Sequence, residues 1–347
     1  MEENRAALLK SPRAPVEVEQ IEKWVPGAGE VLVRNEAIAF NPIEAKIQKW
    51  EMFQIEYPAI LGYTFGGTVV SVGPNVNSVK VGNRVAVACW GPAAVDKRFG
   101  AYQKYPLALE ENIVKLDSQT SLEEGSGVMA NLATVVAALS ICMKLGYPPI
   151  NDRAPKNGKR IFIYGGSSSV GGLAVQYATD AGYEVVTTSS TANWDLVQRR
   201  GPSYIIDHTT PKDQLLESIK TNGPYNGIFD AIGSSEVTEL LGDLLAEDGG
   251  LFWSTSPTPA DPRLPKNVKK EWAGYSDLLV SRDENKDAKV WYLQEYLPKG
   301  LSSGRIFSNP SYVFPGGLES VQDALDAFMA GKVSGKKVFV NPQDQRH

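Results

Sequence analysis

Hydrophobic and polar residues follow two different patterns along the chain, and the change between them predicts two kinds of structure. Residues 30–40, 66–73 and 83–88 alternate between apolar and polar positions or are rich in β-branched residues, and glycine and asparagine turns bound them, which is typical of short strands. From residue 159 onward, short apolar runs alternate with helix-like stretches. This alternation predicts a parallel sheet with helices on both faces.

The elements predicted after residue 120 divide the chain further. A cap followed by acidic residues predicts a helix over 121–145. Strands are predicted over 159–164, 183–188, 204–207, 227–231 and 250–254, and helices over 195–200, 214–221 and 235–246. Residues 257–290 are polar and rich in proline and lysine, and no element is assigned there. A last helix over 318–330 and a strand over 336–340 are expected to return to the first module, which makes the alternating region an insertion.

A glycine-rich turn joins the first strand of the alternating region to the next helix. Residues 164–172 read Tyr-Gly-Gly-Ser-Ser-Ser-Val-Gly-Gly, and a second strand after Gly182 completes a βαβ unit of about 30 residues. Such a turn directs free backbone N–H groups at a helix N-terminus, where the dipole also favours an anion. We therefore favour pyrophosphate binding over a plain tight turn.

Within this turn, Gly166 and Gly171 match the first and third glycines of the dinucleotide fingerprint, while Ser168 replaces the second. The serine hydroxyls can donate to phosphate oxygens. Serines chosen only as small turn residues are the alternative. The expected cofactor contacts here are Gly166, Ser167, Ser168, Ser169 and Val170.

The composition is that of a globular protein. Of 347 residues, 42% are hydrophobic and 22% charged, and the net charge of −5 argues against a nucleic-acid surface. No apolar stretch of 18 residues is apparent, and the acidic N-terminus does not resemble a signal peptide. We expect a soluble, cytoplasmic protein that binds neither nucleic acid nor membrane.

Metal ligands are scarce in the sequence. Cys89 and Cys142 lie far apart, and the chain has two histidines. A catalytic zinc takes three protein ligands and a structural zinc takes four, so no metal site is predicted. Both cysteines are expected to be small buried hydrophobic residues.

Several segments resemble the medium-chain dehydrogenase/reductase superfamily, and the resemblance covers nearly the whole chain. Residues 41–46, Asn-Pro-Ile-Glu-Ala-Lys, are similar to the Asn-Pro-Val-Asp-x-Lys segment of its zinc-free branch. Residues 61–69 resemble the Gly-His-Glu-x-x-Gly-x-Val segment of the alcohol dehydrogenases, and residues 79–85 resemble the Val-Gly-Asp-Arg-Val turn. Within the superfamily, the chain resembles fungal enoyl reductases that act in trans with polyketide synthases, and ToxD-like oxidoreductases.

The departures from the family pattern concern the metal. Asn41, Tyr63 and Thr64 stand where the zinc enzymes place cysteine, histidine and glutamate, and residues 89–105 contain no four-cysteine lobe. The resemblance therefore implies chemistry without a Lewis acid, which favours reduction of a conjugated C=C bond over alcohol oxidation. An enone or enoyl thioester accepts hydride at its β-carbon, and the enolate that develops needs hydrogen-bond donors.

The end of the second strand of the βαβ unit bears on cofactor choice. It reads Thr-Thr-Ser-Ser, without the carboxylate that binds the ribose 2′-OH of NAD, so Ser189 and Ser190 are expected at a 2′-phosphate. His208 follows the third strand, where zinc-free relatives carry a tyrosine beside the adenosine phosphate; an ordinary surface or core histidine is the alternative. NADPH is the predicted cofactor. Arg199 and Arg200 are expected on a solvent-facing helix end, without a role in binding.

The resemblance also implies residues around the nicotinamide and the substrate. Those near the ring are a threonine that hydrogen-bonds the carboxamide side and the backbone of the last strand: Thr134, Val338 and Phe339. Asn41 and Lys46 are expected on the substrate side, where Lys46 binds the acyl oxygen or relays a proton, or else is a solvated helix lysine. Tyr63 is the rival proton donor, and a pocket-wall aromatic is the alternative.

Together these features predict an α/β protein with a GroES-like, β-rich catalytic domain, residues 1–125 and 291–347, and an inserted Rossmann domain, residues 126–290. The predicted function is zinc-independent, NADPH-dependent reduction of an activated C=C bond in an enoyl thioester or enone, with trans-acting enoyl reduction in polyketide biosynthesis as a specific form. The alternatives are a quinone or carbonyl reductase, and an NADPH-binding protein without turnover. The expected partners are a small-molecule or acyl-thioester substrate and a polyketide synthase, and monomer and homodimer both stay open.

Overall fold

The strands and helices that the sequence pattern predicts are present in a computed structural model, which describes residues 3–257 and 264–344. The strands are β1 (Asn4–Leu9), β2 (Val16–Ile21), β3 (Glu30–Ala39), β4 (Ala59–Ile60), β5 (Thr64–Val72), β6 (Arg84–Ala88), β7 (Leu107–Leu109), β8 (Ile113–Lys115), β9 (Arg160–Tyr164), β10 (Glu184–Ser189), β11 (Tyr204–Asp207), β12 (Gly227–Asp230), β13 (Gly250–Ser254), β14 (Val268–Glu271), β15 (Ser311–Phe314) and β16 (Lys337–Val340). The helices are α1 (Pro42–Trp50), α2 (Trp90–Val95), α3 (Leu122–Val136), α4 (Ser169–Asp180), α5 (Trp194–Gln198), α6 (Lys212–Thr221), α7 (Ser235–Leu245), α8 (Tyr275–Val280), α9 (Lys286–Val290), α10 (Leu297–Ser302) and α11 (Val321–Met329).

The chain forms two compact units. Unit 1 comprises Met1–Ala130 and Val280–His347, and unit 2 comprises Asn131–Leu279. The domain limits predicted from the sequence, after residues 125 and 290, stay a prediction about the folding domains.

Unit 1 is built on antiparallel strands. Its larger sheet has the order β15-β16-β3-β5-β6-β8, with β7 also paired to β3, and its smaller sheet has the order β2-β1-β4. β16 runs antiparallel to β3, with Phe339 opposite Ala39, so the end of the chain returns to the first module as predicted. Most residues of its central strands are buried, among them Val31 and Val33 of β3 and Phe65 of β5, and β-branched and aromatic residues favour such strands.

Unit 2 contains a six-stranded sheet in the order β11-β10-β9-β12-β13-β14, and every neighbouring pair in it is parallel. The buried core includes strand residues such as Phe162 and Phe252 and helix residues such as Ile219 and Leu241. The central strand β9 carries the buried apolar residues Ile161, Phe162 and Ile163, as is typical of a parallel sheet. The predicted α/β class, with a β-rich unit and an inserted Rossmann-type sheet, is confirmed.

Two features differ from the sequence-based expectations. Residues 257–290, to which no element was assigned, contain the edge strand β14 and the short helices α8 and α9. The sequence of β14, Val-Lys-Lys-Glu, is mostly polar, as an edge strand that is only partly covered can be. Among the described residues, the helical stretch Leu122–Cys142 is long and apolar enough to cross a membrane, contrary to the expectation that no such stretch exists. Of its apolar 18-residue window, 78% is buried, which is typical of a core helix.

Candidate active site

The glycine-rich turn joins β9 to α4 and is attached to the end of β10. Gly165 has φ of +89°, a conformation that favours glycine. Ser168 is the N-cap of α4, and its Oγ accepts a hydrogen bond of 2.9 Å from the Gly171 N–H. The Gly166 N–H donates to the Thr188 carbonyl at 2.9 Å, which fixes the turn against β10.

Close packing explains both fingerprint glycines. A Cβ at Gly171 would lie 2.1 Å from the Gly165 carbonyl oxygen, and one at Gly166 would lie 2.4 Å from the Thr187 Oγ1. Neither position has room for a methyl group. The backbone of the turn and of the first helical turn therefore lie against each other, as dinucleotide binding by this kind of turn requires.

The first turn of α4 fits a pyrophosphate. The first N–H groups of a helix have no intrahelical acceptor, and the Ser168 side chain satisfies the one at Gly171. The N–H groups of Ser169 and Val170, the first two residues of this 12-residue helix, belong to the same set. Donors at a helix N-terminus attract an anion through hydrogen bonds and the dipole together. Ser167 lies in the turn between β9 and this helix.

The end of β10 offers one accessible serine. Ser189 is fully buried, and its Oγ donates to the Ser190 carbonyl at 3.0 Å. Ser190 is partly exposed, and its Oγ accepts from the Asn193 side chain at 3.3 Å. The indole N–H of Trp194, a residue 40% exposed, donates to the Ser189 carbonyl at 3.4 Å.

His208 follows β11 at the same edge of the sheet. Its ring centroid is 6.3 Å from that of Tyr164, at the end of β9, and the residue is partly buried. Asp207 is paired with Ser189 across the strands, and its Oδ1 accepts from the Thr209 N–H at 2.9 Å and from the Thr209 hydroxyl at 2.7 Å. Those hydrogen bonds hold the pKa of Asp207 below its ordinary value. The predicted residues Ser190 and His208 are thus at one edge, together with an acid.

Arg200 is not on a solvent-facing surface, contrary to the expectation from the sequence. It is 1% exposed, and its Nη1 donates to the Gln176 Oε1 of α4 at 2.8 Å. Burial lowers its pKa to about 9. A Cβ at Gly172 would be 3.3 Å from the Arg200 Nε, so the guanidinium lies beside the N-terminal half of α4.

The residues predicted near the nicotinamide belong to both units, Thr134 to unit 2 and Val338 and Phe339 to unit 1. Thr134 of α3 is partly exposed, with its Oγ1 3.4 Å from the Ser276 Oγ. Val338 and Phe339 are buried in β16 between β15 and β3, and the Val338 carbonyl accepts from the Phe40 N–H at 3.0 Å. The backbone of β16 is therefore part of the sheet.

A buried polar network surrounds Asn41, the N-cap of α1. Its side-chain Nδ2 donates to the Glu44 Oε1 at 3.1 Å, and its backbone N–H donates to the Glu44 Oε2 at 2.9 Å. Its Oδ1 accepts from the Lys337 Nζ at 2.7 Å. Asn41 is 7% exposed, Glu44 is fully buried and Lys337 is 3% exposed. Both ends of the Asn41 amide are therefore engaged within the protein.

The two ionisable groups of this network shift in opposite directions. Burial raises the pKa of Glu44, and hydrogen bonds from Asn41 and the charge of Lys337 oppose that rise. Burial lowers the pKa of Lys337, and the charge of Glu44 opposes that fall. Each shift disfavours the charged form, so the partners offset only part of the cost of burial.

Lys46 lies on the other side of α1. The buried residues of the helix are Glu44, Ala45, Ile47 and Gln48, and Lys46 is partly exposed. Because successive helical residues are about 100° apart, Lys46 projects from nearly the opposite side to Glu44. The structure thus places Asn41 beside Lys337, whereas Lys46 lies on nearly the opposite side of α1 from Glu44.

Tyr63 is a buried aromatic residue of unit 1. It is 2% exposed, and its ring meets Trp90 edge-on with 4.3 Å between centroids. Burial, with the charge of Glu44, raises the pKa of Tyr63 far above its ordinary value, which weakens it as an acid. Cys89 is buried as predicted, with its Sγ 3.6 Å from the Gly62 carbonyl, whereas Cys142 is only partly buried.

In the part of the chain that the structure describes, the residues at the zinc positions of the metal-dependent relatives do not form a set of zinc ligands. Thr64 is 1% exposed, and its Oγ1 has no hydrogen-bond partner within residues 3–257 and 264–344. Among the residues that the structure describes, no group of three or more histidine, cysteine, aspartate or glutamate side chains could hold a metal ion. The donor set therefore does not fit a zinc ion.

Sequence reasoning missed Glu44, Lys337 and the burial of Arg200. Asn41 followed three residues later by Glu44 has the spacing of a helix-capping pair, which could have identified the hydrogen bond to the Asn41 N–H. Nothing local distinguishes Lys337 from the adjacent Lys336. Only the pairing of β16 with β3 brings it to Asn41.

Comparison with known proteins agrees with this architecture. The family model for the alcohol dehydrogenase GroES-like domain matches residues 27–143. The trans-enoyl reductase himH of Aspergillus japonicus is 33% identical over 317 residues, which cover 90% of this chain and 89% of that protein.

Solved structures share the fold at low sequence identity. A quinone oxidoreductase of Pseudomonas syringae pv. Tomato DC3000 superposes with a TM-score of 0.76 at 22% identity, covering 99% of this chain and 100% of that one. The mycobacterial protein Rv1454c, solved in complex with NADPH, gives a TM-score of 0.73 at 20% identity, covering 97% of this chain and 100% of that one.

Proposed function

We propose a specific activity for this chain. The chain belongs to the medium-chain dehydrogenase/reductase superfamily, and it is an oxidoreductase that uses a nicotinamide cofactor. The proposed activity is zinc-independent, NADPH-dependent reduction of an activated C=C bond in an enoyl thioester or an enone. The similarity to a fungal trans-enoyl reductase supports the substrate class, and a polyketide synthase is the proposed source of an acyl-thioester substrate. We propose a cytoplasmic location.

The proposal rests on the residues at the positions where the zinc enzymes of the family bind their metal. Asn41 is engaged by Lys337 and Glu44, and Tyr63 is packed against Trp90. Such residues bind and orient but supply no Lewis acid. Alcohol oxidation would need another means of stabilising an alkoxide, whereas an enolate can be stabilised by hydrogen-bond donors alone.

The protein's own residues would divide the work as follows. The first turn of α4 and the turn before it would hold the pyrophosphate through the Ser169 and Val170 N–H groups, with Ser167 and Ser168 as further donors. Ser190 and His208 would contact the 2′-phosphate, and Ser189 would support Ser190 through its hydrogen bond. When bound, NADPH supplies the hydride.

The remaining predicted residues would act on the ring and on the substrate. Thr134 would bind the carboxamide, and Val338 and Phe339 would border the ring. Lys46 would donate to the acyl oxygen, so that its charge stabilises the oxygen as electron density moves onto it. Tyr63 would form an apolar wall, because its raised pKa makes it a poor proton donor.

A two-part experiment tests this function. Dissociation constants for NADPH and NADH come from fluorescence titration, and turnover comes from a panel of enoyl thioesters, enones, quinones and alcohols. We expect much tighter binding of NADPH, since each charge-assisted hydrogen bond to the 2′-phosphate contributes about 1.5–3 kcal/mol. Equal affinities would refute the cofactor assignment. Turnover restricted to quinones or alcohols, or none at all, would refute the substrate class.

A further inference from the structure

The buried network around Asn41 joins two distant parts of unit 1. Lys337 begins β16 and Glu44 is in the first turn of α1, and the Asn41 amide lies between them as acceptor from one and donor to the other. An amide with a cation on its oxygen and a carboxylate on its nitrogen has one favourable orientation. The network therefore defines the position of the N-terminus of α1 relative to β16.

Burying the two charged groups of this network is energetically unfavourable. Glu44 and Lys337 are both removed from water, and burial raises the pKa of Glu44 and lowers that of Lys337, so that the neutral form of each group is favoured. Apolar residues of similar volume are often as stabilising as a buried ion pair, or more so. A requirement for precise placement of α1 would account for charged residues here.

The position of the network connects it to the reaction. α1 carries Lys46, five residues after Asn41, and Val338 and Phe339 directly follow Lys337. Tyr63, Cys89 and Tyr102 are also buried, and their burial together with the charge of Glu44 raises the pKa of each. The network thus includes Asn41 and is close in sequence to Lys46, Val338 and Phe339, which are all residues assigned to the reaction.

We propose that Lys337 is a positioning residue for the reduction, which fixes Asn41 and the start of α1 and so aims Lys46 at the acceptor. This inference rests on the proposed function. It predicts a larger effect of Lys337 on turnover than on cofactor affinity, because the proposed contacts to the pyrophosphate and the 2′-phosphate all belong to unit 2.

The test replaces Lys337 by Met and uses Lys336→Met as the matched control. Lys336 is adjacent and exposed, with its Nζ 5.3 Å from the centre of the Tyr312 ring and outside the network. Folding is followed by thermal and urea unfolding, cofactor affinity by fluorescence titration, and kcat and KM with an accepted acceptor. We expect kcat to fall about 10- to 100-fold for Lys337→Met, as displacement of a reacting group by about 1 Å does. NADPH affinity should stay within about twofold, and the control should match the wild type within about twofold throughout.

A second variant keeps the proposal testable if the first does not fold. Glu44→Gln with Lys337→Met removes both charges and should restore much of the lost stability, while kcat stays low because the Asn41 Oδ1 has lost its donor. Recovery of full turnover in the double variant would show that Lys337 only neutralises Glu44, and would overturn the proposal. So would a folded Lys337→Met variant with unchanged kcat.

The unfolding data separate this inference from the proposed function. If the wild type binds NADPH but reduces none of the acceptors, the proposed function fails. The network is then judged by the double-mutant cycle between positions 44 and 337. When two groups are coupled, the double variant changes the unfolding constant by about 2- to 100-fold more or less than the two single variants predict together. If the effects of the two substitutions on unfolding are additive, Glu44 and Lys337 are not coupled, and this inference fails as well.

Discussion

Replacement of Gly171 by Ala should impair NADPH binding more than replacement of any other glycine in the glycine-rich turn by Ala. The added Cβ would lie 2.1 Å from the Gly165 carbonyl oxygen, 2.8 Å from the Gly165 carbonyl carbon and 2.9 Å from the Ser168 Oγ. Real Cβ atoms essentially never come closer than 3.0 Å, so the helix and the turn must separate by at least about 0.9 Å, the difference between 3.0 and 2.1 Å. The obstacle is backbone, which cannot rotate away.

The expected loss follows from that displacement. Overpacking of this kind costs about 1–3 kcal/mol. Loss of one charge-assisted hydrogen bond to the pyrophosphate costs about 1.5–3 kcal/mol, or about 10- to 100-fold in dissociation constant. Ala is also the better helix former by about 1 kcal/mol, which offsets part of the folding cost but none of the binding cost.

Gly172→Ala is the control, one residue further along α4. Its Cβ would lie 3.1 Å from the Gly166 carbonyl oxygen and 3.3 Å from the Arg200 Nε, distances that require shifts of only a few tenths of an ångström. Fluorescence titration of NADPH, with circular dichroism to verify folding, measures both variants. Affinity of Gly171→Ala within about threefold of the wild type, which is less than about 0.7 kcal/mol, would refute the close-approach argument.

Three further outcomes are expected. Lys46→Met should lower kcat about 10²–10³-fold, as loss of a donor to a developing oxyanion does, and should leave NADPH affinity unchanged. Lys49→Met on the same helix is the control, and full turnover of Lys46→Met would show that Lys46 is only a solvated helix lysine. Tyr63→Phe should keep kcat within about threefold, because burial makes the hydroxyl a poor acid; a loss of 100-fold would identify Tyr63 as the proton donor. The purified protein should contain no stoichiometric zinc by elemental analysis and keep its turnover in strong chelators, and one tightly held zinc per chain would contradict the mechanism.

The sequence determined the fold class because the relevant signals are local. Apolar runs of four to six residues between turns predicted β9 to β13, and the limits of β11 and β13 agree with the structure residue for residue. The glycine-rich turn was identified because a positive φ and close backbone contacts allow few other residues. β14 was missed because an edge strand need not be apolar.

The roles of individual side chains were harder to predict, since they depend on what folding brings together. Ser189 looked like a phosphate ligand, yet in the structure it is buried with its hydroxyl on the Ser190 carbonyl. Arg200 looked like a surface residue because its neighbours in sequence are polar, yet it packs against α4.

The network around Asn41 marks the boundary between the two kinds of information. Asn41 and Glu44 are three residues apart, and their capping relation follows from helix geometry. Lys337 is 296 residues from Asn41 in sequence, and no period or local preference connects them. Their contact exists because β16 pairs with β3, and a buried lysine is stable there only where an amide oxygen and a carboxylate offset part of its desolvation. Sequence alone determined the strands from β9 to β13 and the helices between them, and the tertiary structure decided which charged side chains are buried together in a low-dielectric interior.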